Sequence, residues 1–255
     1  MKPEKIRIVK IGGNIIDNPE KLEGFLDSFA AGYRNDAGTA LVLVHGGGKI
    51  ATELSARLSI PVTMKNGRRV TGEADLEIVT MVYAGLINKR IVAQLQKRGC
   101  NAAGLCGADF NAVHAHKRPP VPVDYGYAGD IDEVNAALLM HMAAQGIVPV
   151  IAPITHDGSG QLLNTNADSV ATAIAESLAS TGNAEVELVF VFEKRGVLTD
   201  VEDENSLVRS IDADAYAALK EAGKISGGMI PKIENALKAV SCGVKRVYIN
   251  ETEIH

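Results

Sequence analysis

Short apolar runs alternate with amphipathic stretches along the whole chain, glycines directly follow the first two runs, and Ile147 to Ile151 is apolar throughout. Together these observations predict an α/β protein, a three-layer α/β/α sandwich around a mostly parallel sheet. Strands buried on both faces read as continuous apolar runs, and the crossovers between them are helices. With 255 residues and 46% hydrophobic content, the chain can bury a full core as one large domain or two tightly joined lobes.

The first unit is a strand at Ile6 to Lys10, then Gly12-Gly13, then a helix from about Pro19 with Leu22, Phe25, Leu26 and Phe29 on one face. A second strand, Leu41 to His45, runs into Gly46-Gly47-Gly48 and a helix marked by Ile50, Leu54 and Leu58. From Thr71, which suits an N-cap, to Gly99, which suits a stop, the pattern predicts one long helix with Leu76, Val79, Val82, Leu86 and Leu95 along its length. Such a length offers a dimer face. The Pro- and Gly-rich segment between Val113 and Asp130 reads as hairpin or loop and as a cover for a site. Asn135 to Gln145 is helical, Ile147 to Ile151 is a strand, and Asp157-Gly158 is a turn. Helices follow at Ala167 to Leu178, Asp212 to Ala222 and Pro231 to Val240, with strands at Val186 to Phe192 and Val244 to Ile249. No flexible linker divides the chain, so a lobe boundary near residue 180 is soft.

Composition narrows the function classes. A net charge of −5 without a Lys/Arg run argues against a nucleic-acid binder, since phosphate contacts demand a basic surface. The apolar stretch Ile6 to Ile11 is broken by Arg7 and Lys10, so no signal peptide is readable, and nowhere do eighteen apolar residues run together. Three cysteines, Cys100, Cys106 and Cys242, lack metal-finger or CxxC spacing and read as reduced thiols. The expectation is a cytoplasmic protein with a small-molecule partner, no membrane segment and no protein-bound metal site.

Two glycine fingerprints are testable directly. Gly46 to Ala51 fits the turn of a dinucleotide fold, but about twenty residues on, where an acidic ribose ligand belongs, the chain reads MKNGRRV. A Walker loop fails because Gly48-Lys49 and Gly223-Lys224 are both followed by Ile. What remains is Gly12-Gly13 and Gly46 to Gly48 at the carboxyl ends of strands, where open α/β sheets bind ligands and helix N-termini offer free N–H groups to anions.

Lys10 ends a strand beside Gly12-Gly13 and so points into that crevice. Pro231 fits the first position of a helix, which puts Lys232 in a first turn where the macrodipole disfavours a cation, so an anionic group is expected nearby. In Asn164-Thr165-Asn166-Ala167-Asp168, Asn166 suits a helix cap and Asp168 the first turn. Asn164 is left over, as an amide for a peptide-like ligand. Arg68 and Arg69 are able to grip a carboxylate, Arg69 being followed by Val70-Thr71.

In this order the segments KIGGN at Lys10, VHGGGK at Val44, KNGRRVT at Lys65, GLCGAD at Gly104, YAGDI at Tyr127, LLNTNAD at Leu162 and GGMIPK at Gly227 span nearly the whole chain. In them the sequence resembles the N-acetylglutamate kinases of the amino acid kinase family. The resemblance implies that family's fold and an ATP- and Mg²⁺-dependent phosphorylation of the side-chain carboxylate of an N-acylated glutamate, on the route to arginine. It implies that Lys10 and Lys232 stabilise the transferring phosphoryl group and that Asp168 orients both. Gly12 and Gly13 would lie along the ATP phosphates, with Glu193 and Gly196 on the nucleotide side, and Gly47 and Gly48 along the substrate. Arg69 would hold the α-carboxylate, and Asn164 with Asn166 the acylated amino group. Residues 1–180 would bind the acyl amino acid and dimerise, and residues 181–255 would bind the nucleotide.

A glutamate side chain has a pKa of about 4.3, so the nucleophile is already ionised and needs no general base. Lysines, N–H donors and Mg²⁺ are the groups such a reaction needs. Relatives commonly read DVxGVL where this chain has Phe192-Glu193-Lys194-Arg195-Gly196-Val197-Leu198, carry a lysine at Ala108, and continue past His255 with a further helix and strand. Few residues precede Lys10, so an arginine-insensitive homodimer is expected. Two alternatives stand beside this reading. One is the same reaction on N-succinylglutamate or another N-blocked amino acid; the other is a non-catalytic nucleotide sensor.

Overall fold

The computed structural model describes residues 3–36, 38–65, 67–225 and 227–255, so Asn66 of KNGRRVT lies outside the described residues. β1 (Lys5–Ile11) is followed by the single turn α1 (Gly13–Ile16) and by α2 (Pro19–Asn35). Asn18 starts α2 by accepting from the Lys21 N–H at 3.0 Å, with Pro19 at the first position, where a missing N–H costs nothing. β2 (Thr39–His45) leads through Gly46-Gly47 into α3 (Gly48–Arg57), and β3 (Thr63–Lys65) with β4 (Arg68–Val70) makes a hairpin. α4 (Glu73–Val79), a π-helical stretch (Thr80–Ile87) and α5 (Asn88–Lys97) then follow without a break.

β5 (Ala102–Leu105), β6 (Val113–Lys117), β7 (Gly129–Val134), α6 (Ala136–Ala144), β8 (Val148–Ile151), β9 (Ile154–His156), β10 (Leu162–Asn164) and α7 (Ala167–Ser180) come next. The remainder comprises β11 (Glu185–Val191), β12 (Val197–Leu198), β13 (Leu207–Val208), β14 (Ser210–Ile211), α8 (Ala213–Glu221), α9 (Met229–Ser241), β15 (Arg246–Ile249) and β16 (Thr252–Ile254).

The main sheet has the order β14-β16-β15-β11-β1-β2-β8-β5 and is parallel at every pairing except β15 with β16. It crosses residue 180 without interruption, since β11 and β2 flank β1. Successive strand residues point to opposite faces, so Ile6, Ile8, Val42 and Val44 pack under α6, α7 and α9, while Val9, Ile11, Leu41 and Leu43 pack under α2, α3, α4 and α5. These are the three expected layers. A second sheet, β10-β9-β6-β7, stands beside the main one. No helix among the described residues is long and apolar enough to cross a membrane.

Two local expectations are corrected and one is refined. Thr71 does not cap the long helix: Gly72 occupies that position, and Thr71 is fully buried, exchanging backbone hydrogen bonds with Tyr125 and Tyr127. Within that helix Leu86 faces outward and Ile87 inward, because the wider π turn adds a residue and moves the apolar stripe to Tyr83, Ile87, Ile91 and Leu95. Pro231 lies third in α9, not first, since the helix begins at Met229. A proline is still tolerated there because the N–H groups of a first turn have no intrahelical partner.

Candidate active site

Lys10 continues the even-numbered face of β1, so it meets the layer that carries α7 and α9 at the carboxyl edge of the sheet. Asp168 stands in the first turn of α7, which Asn166 fixes: its side-chain oxygen accepts from the N–H groups of Asp168 at 2.8 Å and Ser169 at 3.2 Å. Lys232 projects from the first turns of α9. The three converge, with Lys10 Nζ 2.7 Å from Asp168 Oδ1 and Lys232 Nζ 2.9 Å from Asp168 Oδ2.

Burial would raise the Asp168 carboxyl, but the two ammonium groups outweigh it and hold the acid below the usual carboxylate range. Burial pulls Lys10 below the ordinary lysine value, and the like charge of Lys232 adds to this against the opposing pull of Asp168 and Glu193. Two cations sharing one buried anion leave positive charge unmatched at the floor of a cleft. An anionic ligand is what such a floor attracts.

A cavity of about 610 Å³ opens here, lined by Lys10, Asp168, Arg69 and Tyr83 among others. Gly13 and Gly46 to Gly48 line it, as do Asn164, Thr165 and Asn166. Gly47 has φ +150°, and a Cβ there would lie 2.2 Å from Ile87 Cδ1, so the turn that opens α3 is pressed onto the π-helical stretch. Asn164 donates from its Nδ2 to Thr71 Oγ1 at 2.9 Å, which leaves its carbonyl oxygen to accept from a ligand N–H. The Asn166 carbonyl oxygen is occupied by its cap, so only the amide nitrogen of that side chain is offered.

Arg69 is buried at the wall. It donates to Asp75 Oδ1 at 3.2 Å, to Thr52 Oγ1 at 2.6 Å and to the Gly48 carbonyl at 3.3 Å. The guanidinium is thus held against the glycine turn before any ligand arrives. The Pro-rich segment expected to cover a site does so through Arg118 and Tyr125, with Arg118 donating from Nε to both carboxylate oxygens of Asp130 at 3.1 Å. Thr52, Asp75, Tyr83, Arg118 and Tyr125 were not foreseen from sequence. Only Asp75, four residues after Thr71 on a predicted helix, carried a signal, as an acid that the helical pattern turns inward.

The profile of the amino acid kinase family matches residues 5–250. This chain belongs to the amino acid kinase family. Acetylglutamate kinase from Cytophaga hutchinsonii is 51% identical over 98% of this chain and 92% of its own length. Acetylglutamate kinase from Parabacteroides distasonis is 51% identical over 99% and 96%. Among solved structures, a Streptococcus mutans protein, smu.665, superposes with a TM-score of 0.83 at 30% identity, covering 98% of each chain. Carbamate kinase from Giardia lamblia shares the fold alone, with a TM-score of 0.69 at 13% identity over 100% of this chain and 99% of its own.

Of the residues expected along the nucleotide, Gly13 lines the cavity, whereas Gly12, Glu193 and Gly196 lie beyond its lining, as does Lys232. Glu193 is exposed and accepts from Asn14 Nδ2 at 2.8 Å, which links α1 to the loop after β11 beside Lys10. Gly196 is buried where a Cβ would lie 2.5 Å from Thr252 Oγ1 and 2.6 Å from Leu207 Cδ1, so packing alone accounts for a glycine there. Gly12 has open backbone geometry at φ −75° and donates its N–H to Val191 at 2.9 Å.

Proposed function

We propose that this chain transfers the γ-phosphoryl group of ATP to the side-chain carboxylate of N-acetyl-L-glutamate, forming an acyl phosphate for arginine biosynthesis in the cytoplasm. The observation that carries the reading is Asp168 bridging Lys10 and Lys232 at the floor of a cavity flanked by glycine turns. The high identity to acetylglutamate kinases over nearly full length supports the acceptor.

The barrier to this reaction is the approach of an anionic carboxylate to an anionic phosphate. Lys10 and Lys232 place positive charge on the transferring group, and Asp168 fixes both ammonium groups so that little reorganisation remains. Gly12 and Gly13 let the backbone lie along the ATP phosphates, and the N–H groups opening α3 at Gly47 and Gly48 face the carboxylate. Arg69, held by Asp75 and Thr52, grips the α-carboxylate. Asn164 accepts from the acylated N–H, with Asn166 beside it.

Among the described residues no group of three or more His, Cys, Asp or Glu side chains could hold a metal ion. Mg²⁺ would be carried by the ATP phosphates and would supply further neutralisation of their charge. Residues 1–180 form the acyl-amino-acid side and residues 181–255, with Glu193 and Gly196, the nucleotide side. Homodimerisation through the helix from Glu73 to Lys97 is supported by Met81 and Leu86, two large apolar side chains exposed on it.

The test is a hydroxylamine trap: protein, MgATP and N-acetylglutamate should yield a hydroxamate in proportion to ADP released. Tight ATP binding without hydroxamate would instead indicate the non-catalytic sensor. A second reading is favoured by Arg68 and Arg118 in the cavity wall, two guanidinium groups beyond those an acetyl group needs. Asp130 offsets one of them. An acyl group ending in a carboxylate, as in N-succinylglutamate, would suit that wall, and kcat/KM for the acetylated and succinylated substrates decides between the two.

A further inference from the structure

The phosphoryl-transfer reading leaves two polar side chains unused although both are fully buried, His45 and Asn88. His45 is the last residue of β2 and continues the odd-numbered face, so its ring enters the layer opposite Lys10. Its Nδ1 lies 2.9 Å from the Gly46 carbonyl oxygen, and its Nε2 lies 3.1 Å from Asn88 Nδ2.

These partners fix the tautomer. A carbonyl oxygen only accepts, so Nδ1 carries the proton, and Nε2 is left as the acceptor for the Asn88 amide. The Asn88 amide cannot be reversed without loss, because its Nδ2 also donates to the Val150 carbonyl at 2.8 Å and its Oδ1 accepts from Lys89 Nζ at 3.1 Å. Lys89 in turn donates to the Gly104 carbonyl at 2.9 Å. Burial pushes the imidazole down to about 4, and the Lys89 charge adds to that effect against the Gly46 bond. The ring is therefore neutral at pH 7.

The relay holds a segment on which the proposed reaction depends. Gly46 opens the turn whose next residues, Gly47 and Gly48, begin α3, and the same π-helical stretch that delivers Asn88 also seats Ile87 and Tyr83 beneath Gly47. The Gly46 carbonyl and the Gly47 N–H share one planar peptide, so holding the carbonyl on His45 also fixes the direction of that N–H in a turn that lines the cavity. We propose that His45 is a positioning residue, locked by Asn88, that sets the orientation of the Gly46-Gly47-Gly48 turn for phosphoryl transfer, an inference that rests on the function proposed above.

The experiment pairs kinetics with nitrogen-15 spectroscopy of the histidine rings. His45→Leu removes both bonds at similar volume, and it is expected to lower kcat about a hundredfold with KM for ATP and acylated glutamate within about threefold, since misaimed donors weaken the transition state more than ground-state binding. His45→Asn keeps a donor for the Gly46 carbonyl and is expected to stay within about tenfold of wild type. A folded His45→Leu protein with wild-type kcat overturns the proposal, as does a loss confined to KM. Because the leucine variant could fail to fold, the wild-type ring is measured directly: the expected result is a neutral Nδ1–H tautomer unchanged from pH 8 to about 5. An Nε2–H tautomer, or titration near the ordinary histidine value, overturns the relay. Wild-type protein that yields no hydroxamate sinks the function beneath the proposal, while the ring measurement still reports on the relay itself.

Discussion

The neighbouring parallel strands β1 and β2 each carry a polar side chain just ahead of a glycine turn, Lys10 next to last in β1 and His45 last in β2, yet the two polar groups serve opposite ends. In register Lys10 pairs with Val44 and Ile11 with His45, so a one-residue offset sends Lys10 to the α7 and α9 layer and His45 to the α5 layer. At the first end charge is concentrated and left partly unmatched beside a cavity. At the second it is excluded, and a neutral ring braces the backbone. What differs is not the strand-turn-helix scheme but which face the polar side chain takes, and hence whether it meets a ligand or a helix.

Breaking the charged end should give the largest effects. Lys10→Ala or Lys232→Ala is expected to lower kcat at least about a hundredfold, as loss of one preorganised charge does, measured as hydroxamate formation at saturating substrates. Asp168→Asn is expected to abolish turnover as well and to cost about 3 kcal/mol of stability in denaturant unfolding, because the buried Lys10 ammonium then lacks its counter-charge. Lys232→Ala should be milder for folding, since that side chain keeps 22% of its surface exposed.

The same end has a signature in alkali. The folded pKa of Lys10 lies below the ordinary lysine value of 10.5, so as pH rises the native lysine loses its proton while the unfolded chain keeps its own. Stability from this group therefore rises with pH through that window, whereas kcat/KM for ATP, which reports the free enzyme, falls. Activity and stability should move in opposite directions, and a parallel decline of both would assign the limb to another group.

The two glycine turns sharpen the contrast. Gly47→Ala forces a side chain into left-handed backbone at φ +150° and against Ile87, so a loss of about 2 kcal/mol in unfolding is expected along with lower kcat. Gly12→Ala has φ −75°, and its new Cβ would meet the Val191 carbonyl at an ordinary 3.5 Å. Its unfolding free energy should change by no more than about 0.5 kcal/mol, leaving a raised KM for ATP as the visible effect.

Much of this was legible before the structure. The strands at Ile6, Leu41, Ile147, Val186 and Val244 announce themselves because burial on both faces demands unbroken apolar runs. The sheet β10-β9-β6-β7 did not, since its short strands carry His114, His116, Asp130 and Asp132 outward. Lys10, Asp168 and Lys232 could be named one by one from strand ends and helix starts. Their meeting within 2.9 Å is a tertiary fact. Arg69 was visible as a candidate, but its anchor on Asp75 and Thr52 depends on how β4 packs against α3 and α4. The register shift that puts Ile87 rather than Leu86 inward escapes any fixed 3.6-residue reading, because a π turn has a different period.

The neutral end gives the smallest but most discriminating effect. His45 has a folded value of about 4 against 6.5 when exposed, so on acidification the unfolded chain binds a proton that the native ring refuses. Stability contributed at neutral pH is lost as pH falls below the unfolded value and levels off only below the folded one. Between pH 7 and 5.5 this amounts to about 1 kcal/mol, read as the difference in unfolding free energy between wild type and His45→Asn at the two pH values. The Asp168 carboxyl should contribute nothing to that interval, because the two ammonium groups hold it below the ordinary carboxylate value, which itself lies below pH 5.5. Acid sensitivity over this range that persists in His45→Asn would place its source elsewhere and remove the contrast between the two strand ends.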